Sequence, residues 1–411
     1  MYLTEKQIKR HKRAYNFLKW LLRGWVCHKF AYSFEPAHLP EAPYIVLANH
    51  NAELDPLLLG LTFPHTYYVA SEHLFNKGLL TKLLVRYFAP IPRMKGRADA
   101  ATVLDIRRRL LQGCNIGIFP EGNRSLDGRT MRPHPSTGAL VRSCKVPVVT
   151  FKFTGAYLTS PRWSLSLRKG QMTGQVVNIY YPEQLQSLTA DEINEIIYAD
   201  IYEDAYQTQF EEMTPYIGNN LAAGLETALF LCPSCKQIGR MRSDGDYFRC
   251  ECGMNTKYNQ YGYFTGDNIR FKNYTEWYTW QVEELKKYAY DTYTRFFISD
   301  SGLMIFKINK SHSRERLRFT DIKINRQQLV FSGKNSGNVT FDCSTITGMS
   351  IYGRNSIVIE IKQDYYELKA DKKHSHSFNA RKYLHLYDFI KCDTIRGQDY
   401  GLFSGQQGIM A

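Results

Sequence analysis

The most informative absence in this 411-residue sequence is that of a long apolar run. No stretch reaches the ~18–20 consecutive apolar residues that a bilayer-spanning helix needs. The basic opening is also not followed by an apolar core and a cleavage site of small residues, which a secretory signal would show. Together these absences predict a protein that works on the cytoplasmic side without crossing a membrane.

Acidic residues are scarce relative to basic ones, with 39 Asp and Glu against 53 Lys and Arg and a net charge of +14. Half of that excess, +7, falls within residues 1–30, where eight Lys and Arg residues accompany a single acid, Glu5. An excess of this kind favours an anionic partner, which could be a nucleic acid, a phosphate-bearing substrate or a membrane surface.

Residues 12–26 predict an amphipathic helix. Its apolar face would carry Ala14, Phe17, Leu18, Leu21, Leu22 and Trp25. Its opposite, basic face would carry Lys12, Asn16, Lys19 and Arg23. Such a helix can lie flat on a membrane, with the basic face toward anionic headgroups. We therefore expect residues 1–35 to associate with the cytoplasmic face of the cell membrane, as a peripheral or monotopic segment. The alternative is an ordinary helix packed on its own domain. Both interpretations hold if the helix packs partly on the domain and partly on lipid.

Between residues 40 and 185, short apolar runs alternate with helical stretches at 77–88 and 98–112. The runs are rich in Val, Ile, Phe and Tyr, as strands are. They are Tyr44–Leu47, Tyr67–Ala70, Ile116–Phe119, Val146–Phe153 and Val176–Tyr180. The alternation predicts an α/β domain with a largely parallel or mixed sheet, whose active site lies in loops beyond the strand ends.

The stretch NHNAELDP at 49–56 follows the first of these strands and holds His50 and Asp55. Histidine is the side chain best suited to move a proton near neutral pH. A carboxylate on its other ring nitrogen would fix the tautomer and stabilise the imidazolium. Because the stretch contains neither a hydroxyl nor a thiol, the nucleophile would belong to the substrate, most simply an alcohol. A capping histidine and a surface aspartate are the alternative, since this spacing is common by chance.

Three further stretches occur in a fixed order with this one: IPRMKGR at 91–97, FPEGNRS at 119–125 and VPVV at 146–149. The four together resemble the four blocks of the glycerolipid acyltransferases, the 1-acyl-glycerol-3-phosphate acyltransferase family, over residues 42–210. The resemblance implies a glycerolipid acyltransferase domain at 36–213 with an acyltransferase-type mixed β-sheet and helices. Asn123 stands where many relatives carry threonine, and Pro147 lies in the fourth block, whose role is less clear.

The resemblance also implies a chemistry. His50 would be the general base that deprotonates a glycerol hydroxyl, and Asp55 would orient it. The hydroxyl would attack the thioester of acyl-CoA or acyl-carrier protein, with no cofactor needed for catalysis. The acceptor would be a lysophospholipid, first of all 1-acyl-glycerol-3-phosphate, which gives phosphatidic acid. Its phosphate would be bound by Arg93, Glu121, Gly122 and Arg124. A different lysolipid acceptor, or a lipid-binding scaffold without catalysis, stays open.

A capping box of Thr189 and Glu192 begins an apolar pattern that predicts one helix from 190 to about 213. Pro215 and Gly218 interrupt that pattern, so residues 214–225 are expected to be a linker.

Cysteine is sparse, with nine residues in the chain, but four form two close pairs. The spacing is C-x2-C, fourteen residues, then C-x-C, which predicts a structural zinc site and a zinc ribbon at 226–262. The four ligands would be Cys232, Cys235, Cys250 and Cys252. Chance thiols or a redox pair are the alternatives. This segment carries a net charge of only +1, too little for a nucleic-acid face, so we expect no nucleic-acid partner.

Residues 263–395 alternate short strand-like runs with turn residues and end in a helical pattern. This pattern predicts a β-rich domain that weakly resembles a small pleckstrin-homology-like barrel. Its role stays open between membrane docking, oligomerisation and regulation. His374 and His376 are expected in a loop rather than in a metal site, because neither thiols nor paired carboxylates accompany them.

Overall fold

The computed structural model describes residues 2–71, 79–93, 100–267, 269–291, 298–308, 314–334, 336–362, 364–371 and 378–394. They form two compact units. The first comprises the described residues up to Arg162 together with Leu167–Ile217, and the second comprises Trp163–Ser166 and the described residues from Gly218 onward. The finer division into four segments stays a prediction. Across the described ranges, no helix has both the length and the apolar content that crossing a membrane requires.

The first unit is a mixed α/β structure, as predicted. Its helices are α1 (Glu5–Phe30), α2 (Asp55–Thr62), α3 (Leu79–Phe88), α4 (Ala100–Leu111), α5 (Ser136–Cys144), α6 (Ala156–Thr159), α7 (Pro182–Gln186), α8 (Ala190–Ile201) and α9 (Ala205–Glu212). Its strands are β1 (Tyr32–Phe34), β2 (Ile45–Ala48), β3 (Thr66–Ser71), β4 (Ile91–Arg93), β5 (Asn115–Ile118), β6 (Val148–Thr154) and β7 (Met172–Tyr180).

These seven strands form one sheet in the order β1-β7-β6-β2-β5-β3-β4, and every neighbouring pair is parallel except β6 with β7. The central strand β2 is buried at all four positions. Val46 and Ala48 enter the core on one face, while Ile45 and Leu47 enter the core on the other. A parallel strand covered on both faces has a continuous apolar sequence, which explains why Ile45–Ala48 shows no polar alternation.

Helix α1 is longer than predicted and begins at a capping box formed by Thr4 and Gln7. It packs on the unit through His11, Tyr15, Val26 and Phe30, which are buried at i, i+4 spacing. Lys19, which the sequence places on the basic face, donates from Nζ to the Phe63 carbonyl at 2.9 Å, so this part of the basic face packs on the unit. The unit therefore covers only part of the predicted apolar face, and a neighbouring tryptophan, Trp20, is exposed as well. Leu22 packs against the core, whereas Phe17, Trp20, Leu21 and Trp25 are 53–75% exposed.

The single helix predicted from 190 to about 213 is wrong in one respect, because the chain leaves the helical conformation between α8 and α9. Tyr202 is extended, with φ −63° and ψ 128°. Asp204 then caps α9 by accepting the N–H groups of Tyr206 and Gln207. The residue between them, Glu203, is buried. A local apolar pattern cannot reveal this break, since both halves keep the helical spacing.

The second unit is rich in strands, as predicted. It contains β8 (Met241–Asp244), β9 (Tyr247–Cys250), β10 (Asn255–Tyr258), β11 (Phe264–Thr265), α10 (Tyr274–Asp291), β12 (Ile298–Asp300), β13 (Leu303–Ile308), β14 (Arg314–Arg316), β15 (Asp321–Ile324), β16 (Gln328–Gly333), β17 (Gly337–Asp342), β18 (Ile346–Tyr352), β19 (Ser356–Ile361), β20 (Asp364–Ala370) and α11 (Ala380–Thr394). The strands form antiparallel sheets in the orders β11-β10-β9-β8, β12-β15-β16-β17 and β14-β13-β20-β19-β18. His374 and His376 lie outside the described residues.

Candidate active site

Two polar loops meet at the carboxyl edge of the sheet in the first unit. Strands β2 and β5 are parallel neighbours, with Ile45 opposite Ile116, so the loops that follow them lie side by side. The His50 N–H donates to Glu121 Oε1 at 2.5 Å, and the Ser125 N–H donates to the His50 carbonyl at 2.8 Å. The structure thus brings the first and third sequence blocks together through their main chains.

His50 and Asp55 form a dyad. The Nδ1 atom of His50 lies 2.9 Å from Asp55 Oδ2, which also accepts the N–H groups of Asn51 at 2.7 Å and Ala52 at 2.8 Å. Because Oδ2 acts as an acceptor in these contacts, the neutral form of the ring has its proton on Nδ1 and its lone pair on Nε2. Asp55 opens helix α2, whose N-terminus favours negative charge. The dyad is therefore arranged so that Nε2 can accept a proton.

The imidazole of His50 is held on a second side by an aromatic ring. It stacks on Phe119, with 4.4 Å between centroids and an interplanar angle of 27°. The His50 side chain is 19% exposed, whereas the Asp55 side chain is fully buried. A reactant could reach the histidine, while the carboxylate is kept from water.

The side chain of Glu121 holds the loops together through hydrogen bonds to the main chain. Its second oxygen, Oε2, accepts the Met131 N–H at 2.8 Å, so both carboxylate oxygens are bonded to main-chain donors. Burial raises the pKa of Glu121 well above its usual value, and the N–H groups of Met131 and His50 oppose that shift. This geometry favours a positioning role for Glu121, and its direct contact with an acceptor stays a prediction.

Arg93 and Gly122 also come together. Gly122 has a φ of +71°, and a Cβ built on it would lie 3.2 Å from Arg93 Nη1. The second and third sequence blocks thus meet at a guanidinium group set against a left-handed glycine, a position that favours a residue without a side chain. Arg124 is half-buried on the same loop, and its carbonyl lies 3.5 Å from Arg162 Nη1. Lys95 and Arg97, the other cations of the second block, lie outside the described residues.

A second histidine near Arg93 was missed by the sequence reasoning. The His134 N–H donates to the Pro120 carbonyl at 2.9 Å, and its Nδ1 lies 2.8 Å from Ser136 Oγ. Burial, followed by the charge of Arg93, lowers the pKa of His134 to about 4. No local spacing connects residue 134 with residue 93, so the sequence carried no signal for this pair.

Glu203 was also missed, because it lay within the predicted long helix. It is 3% exposed and bonds to Asn51, the residue after His50, through Oε2. Its Oε1 accepts the Gly155 N–H at 2.9 Å. Burial raises the pKa of Glu203 to about 8. A buried acid therefore stands directly behind the loop of His50.

The four predicted cysteine ligands converge in the second unit. Their Sγ atoms all lie within 4.8 Å of one another, and the Cys232–Cys252 and Cys235–Cys250 pairs are each 3.8 Å apart. Four sulfurs at ~2.3 Å from a tetrahedral zinc would be about 3.8 Å apart, so these separations fit that metal. The donor set therefore suits Zn²⁺, while zinc itself and the ribbon stay predictions.

The comparisons with known proteins fall on the region of the dyad. Residues 33–154 match the family model described as Acyltransferase. The chain is 29% identical over 171 residues to the 1-acyl-sn-glycerol-3-phosphate acyltransferase of Saccharomyces cerevisiae, covering 38% of this chain and 53% of that one. Over this segment, the chain resembles the 1-acyl-sn-glycerol-3-phosphate acyltransferases. The chain spans about half the length of the curated acyltransferases matched first.

Two solved structures are similar to separate parts of the chain. The 1-acyl-sn-glycerophosphate acyltransferase PlsC from Thermotoga maritima is 20% identical with a TM-score of 0.40, covering 48% of this chain and 83% of that one. The N-terminal PH domain of human ARAP2 is 12% identical with a TM-score of 0.19, covering 25% of this chain and 88% of that one. Both similarities are weak, and the pleckstrin-homology-like fold of the second unit stays a prediction.

Proposed function

We propose that this protein transfers an acyl chain from a thioester donor to the free hydroxyl of a lysophospholipid. The observation that carries the proposal is the dyad, in which Asp55 holds His50 Nδ1–H at 2.9 Å and leaves Nε2 for a substrate. No hydrogen bond to Nε2 is found among the residues that the structure describes.

The reaction follows from that geometry. His50 Nε2 takes the hydroxyl proton as the acceptor oxygen attacks the thioester carbonyl. Asp55 stabilises the imidazolium that forms. When the C–S bond breaks, the imidazolium returns its proton to the leaving thiolate, so the enzyme ends as it began. Each proton transfer uses groups of the chain and of its two substrates.

The acceptor in this proposal is 1-acyl-glycerol-3-phosphate, and the product is phosphatidic acid. Arg93, set against Gly122, supplies a guanidinium group suited to phosphate. Arg124 and the main chain of Gly122 lie on the loop tied to His50, so a phosphate bound there would keep the glycerol hydroxyl near the dyad. Acyl-CoA or acyl-carrier protein is the donor. The names of the curated relatives agree with this acceptor.

The membrane is the proposed source of the lipid. Helix α1 exposes Phe17, Trp20, Leu21 and Trp25, and aromatic rings beside basic residues suit a membrane interface. We propose that the protein acts at the cytoplasmic face of the cell membrane, as a peripheral or monotopic enzyme. For the second unit we propose one structural Zn²⁺ bound by the four cysteines.

A panel of acceptors tests the function. Purified full-length protein is incubated with acyl-CoA and with lysolipids that carry phosphate, choline, ethanolamine or glycerol headgroups, and the products are identified by mass spectrometry. Phosphatidic acid should form fastest. If a lysolipid with another headgroup gives product faster, that lysolipid is the acceptor. If none of the lysolipids gives product, the protein is better explained as a lipid-binding scaffold.

A further inference from the structure

A ring of hydrogen bonds surrounds the loop of His50. One half of the ring uses main-chain N–H groups as donors. It begins at the carboxylate of Glu121, which accepts the N–H groups of His50 and Met131. Thr130, the neighbour of Met131, exchanges two bonds with Glu203: the Thr130 N–H donates to the Glu203 carbonyl, and the Glu203 N–H donates to Thr130 Oγ1, both at 2.9 Å. The interruption between α8 and α9 is thus pinned to the segment that follows the third sequence block.

The side chain of Glu203 closes the ring. Its Oε2 bonds to Asn51 Nδ2, and the Asn51 N–H donates to Asp55, which holds His50. Its Oε1 accepts the N–H of Gly155, the residue after strand β6. Since β2 and β6 are neighbouring parallel strands, Glu203 bridges the two strand ends behind the dyad.

The surroundings of Glu203 disfavour its charge. Two other buried carboxyls, Asp55 and Glu121, are its electrostatic neighbours, and the charge of Lys152 acts in the opposite direction. Burial is the largest cause of its raised pKa, about 8, and Asp55 adds to it. Tyr216 is a further neighbour, and its own pKa is raised by burial and then by Glu203.

We propose that Glu203 is a positioning residue for His50. As a neutral acid, Glu203 holds Asn51 and the end of β6 in place behind the dyad. The inference rests on the proposed function, because positioning matters only if His50 moves a proton. The side chain of Asn51 offers a place for the acid proton. Its Oδ1 is buried without a hydrogen-bond partner among the described residues. With the amide turned by half a turn, Oδ1 would face Glu203 and accept the carboxyl O–H, in place of the contact in which Nδ2 donates to Oε2.

The proposal predicts that a plot of kcat against pH has an alkaline limb, in which kcat falls. Below pH about 8 the acid is neutral, and above it the acid is ionised, because its folded-state pKa lies there. Ionisation places a negative charge beside the buried carboxyls of Asp55 and Glu121 and removes the proton shared with Asn51. The value of kcat should therefore fall as pH rises through about 8.

Two substitutions distinguish a role in positioning His50 from a purely structural role of Glu203. Glu203→Gln stays neutral and keeps an acceptor for Gly155 and a donor for Asn51, so it should retain kcat at pH 7 and lose the alkaline limb. Glu203→Ala removes these contacts, and a misplaced base should lower kcat roughly 10- to 100-fold. The acceptor KM should change by less than about threefold, because a positioning residue does not bind the acceptor.

Asp200→Asn is the matched control. Asp200 lies on α8 and accepts hydrogen bonds from Thr150 Oγ1 and Tyr180 Oη, each at 2.8 Å, outside the ring. This variant should keep the alkaline limb. An unchanged limb in Glu203→Gln, or a full kcat in Glu203→Ala, would overturn the proposal.

A titration without turnover completes the test. In protein labelled with ¹³C at glutamate carboxyls, the Glu203 signal is identified by its absence from Glu203→Gln. A midpoint near pH 8 supports the proposal, and a midpoint near the ordinary ~4.3 overturns it. A failure of the proposed function looks different, because it would leave the wild type inactive toward every acceptor.

Discussion

The loop of His50 is held mainly by main-chain donors, whereas the cysteine cluster of the second unit is a set of four side chains. Around His50, both oxygens of Glu121 and one oxygen of Asp55 accept N–H groups. The four sulfurs instead lie close enough to share one ion. The first arrangement leaves a ring nitrogen for a reactant, and the second would use every position of a tetrahedral metal.

The comparison indicates what each region should lose on mutation. Removing a group from an open, hydrogen-bonded site should lower the rate and leave the fold in place. Removing a ligand from a closed thiolate site should weaken the fold.

The largest effect is expected at the cysteines. The purified protein should contain about one zinc per chain, and Cys232→Ser should lose it. Structural zinc contributes about 10–16 kcal/mol in zinc-finger peptides at pH 7, so the second unit should unfold at lower temperature. Metal analysis and calorimetry measure both. Cys343→Ser is the control, since Cys343 is buried in the same unit outside the cluster. Zinc-free wild type purified without chelators would contradict the prediction.

The next effect concerns the orienting carboxylate. Asp55→Asn should lower kcat by about 10²–10⁴-fold, because a neutral amide no longer stabilises the imidazolium that forms when His50 takes the proton. Steady-state kinetics measure the loss, and circular dichroism checks the fold. Glu53→Gln, an exposed acid in the same loop, should act like the wild type. Equal kinetics for the two variants would show that the dyad does not work as described.

A smaller effect is expected for the phosphate contact. Arg93→Ala should raise the acceptor KM roughly ten- to a hundredfold, since a hydrogen bond to a charged group contributes about 1.5–3 kcal/mol. The donor KM should change little. Arg108→Ala removes an arginine paired with Asp105 on helix α4 and serves as the control. If both substrates are affected equally, Arg93 does not act on the acceptor phosphate.

The smallest effect per residue is expected at the membrane. Each Lys or Arg near an anionic surface contributes about 1 kcal/mol, and apolar burial adds a part that salt does not remove. Trp20→Asp should therefore reduce co-sedimentation with anionic vesicles more than Asn16→Asp does. Both changes add one negative charge to an exposed position of α1, but only the first removes an apolar ring. Equal binding would indicate that another surface docks the protein.

The part of the site that could be predicted from the sequence is local. His50 and Asp55 are five positions apart, and the third block follows its strand directly, so strand order predicts that the two loops adjoin, while the family resemblance singles out the pair from a spacing that is common by chance. Glu203 and Asn51 are 152 positions apart. Their contact depends on the break between α8 and α9, which the apolar spacing conceals. The same limit applies to Lys19, because its carbonyl partner at Phe63 lies 44 positions away.

The most direct test of the account is the rate of phosphatidic acid formation by His50→Ala. Full-length wild type, His50→Ala and His38→Ala receive the same acyl-CoA and 1-acyl-glycerol-3-phosphate, and the product is counted by mass spectrometry. His38 is exposed and lies outside the dyad, so His38→Ala should match the wild type. Loss of a positioned base should lower the rate by about 10²–10⁴-fold in His50→Ala while its thermal unfolding stays unchanged. Wild-type turnover in a folded His50→Ala protein would contradict the mechanism.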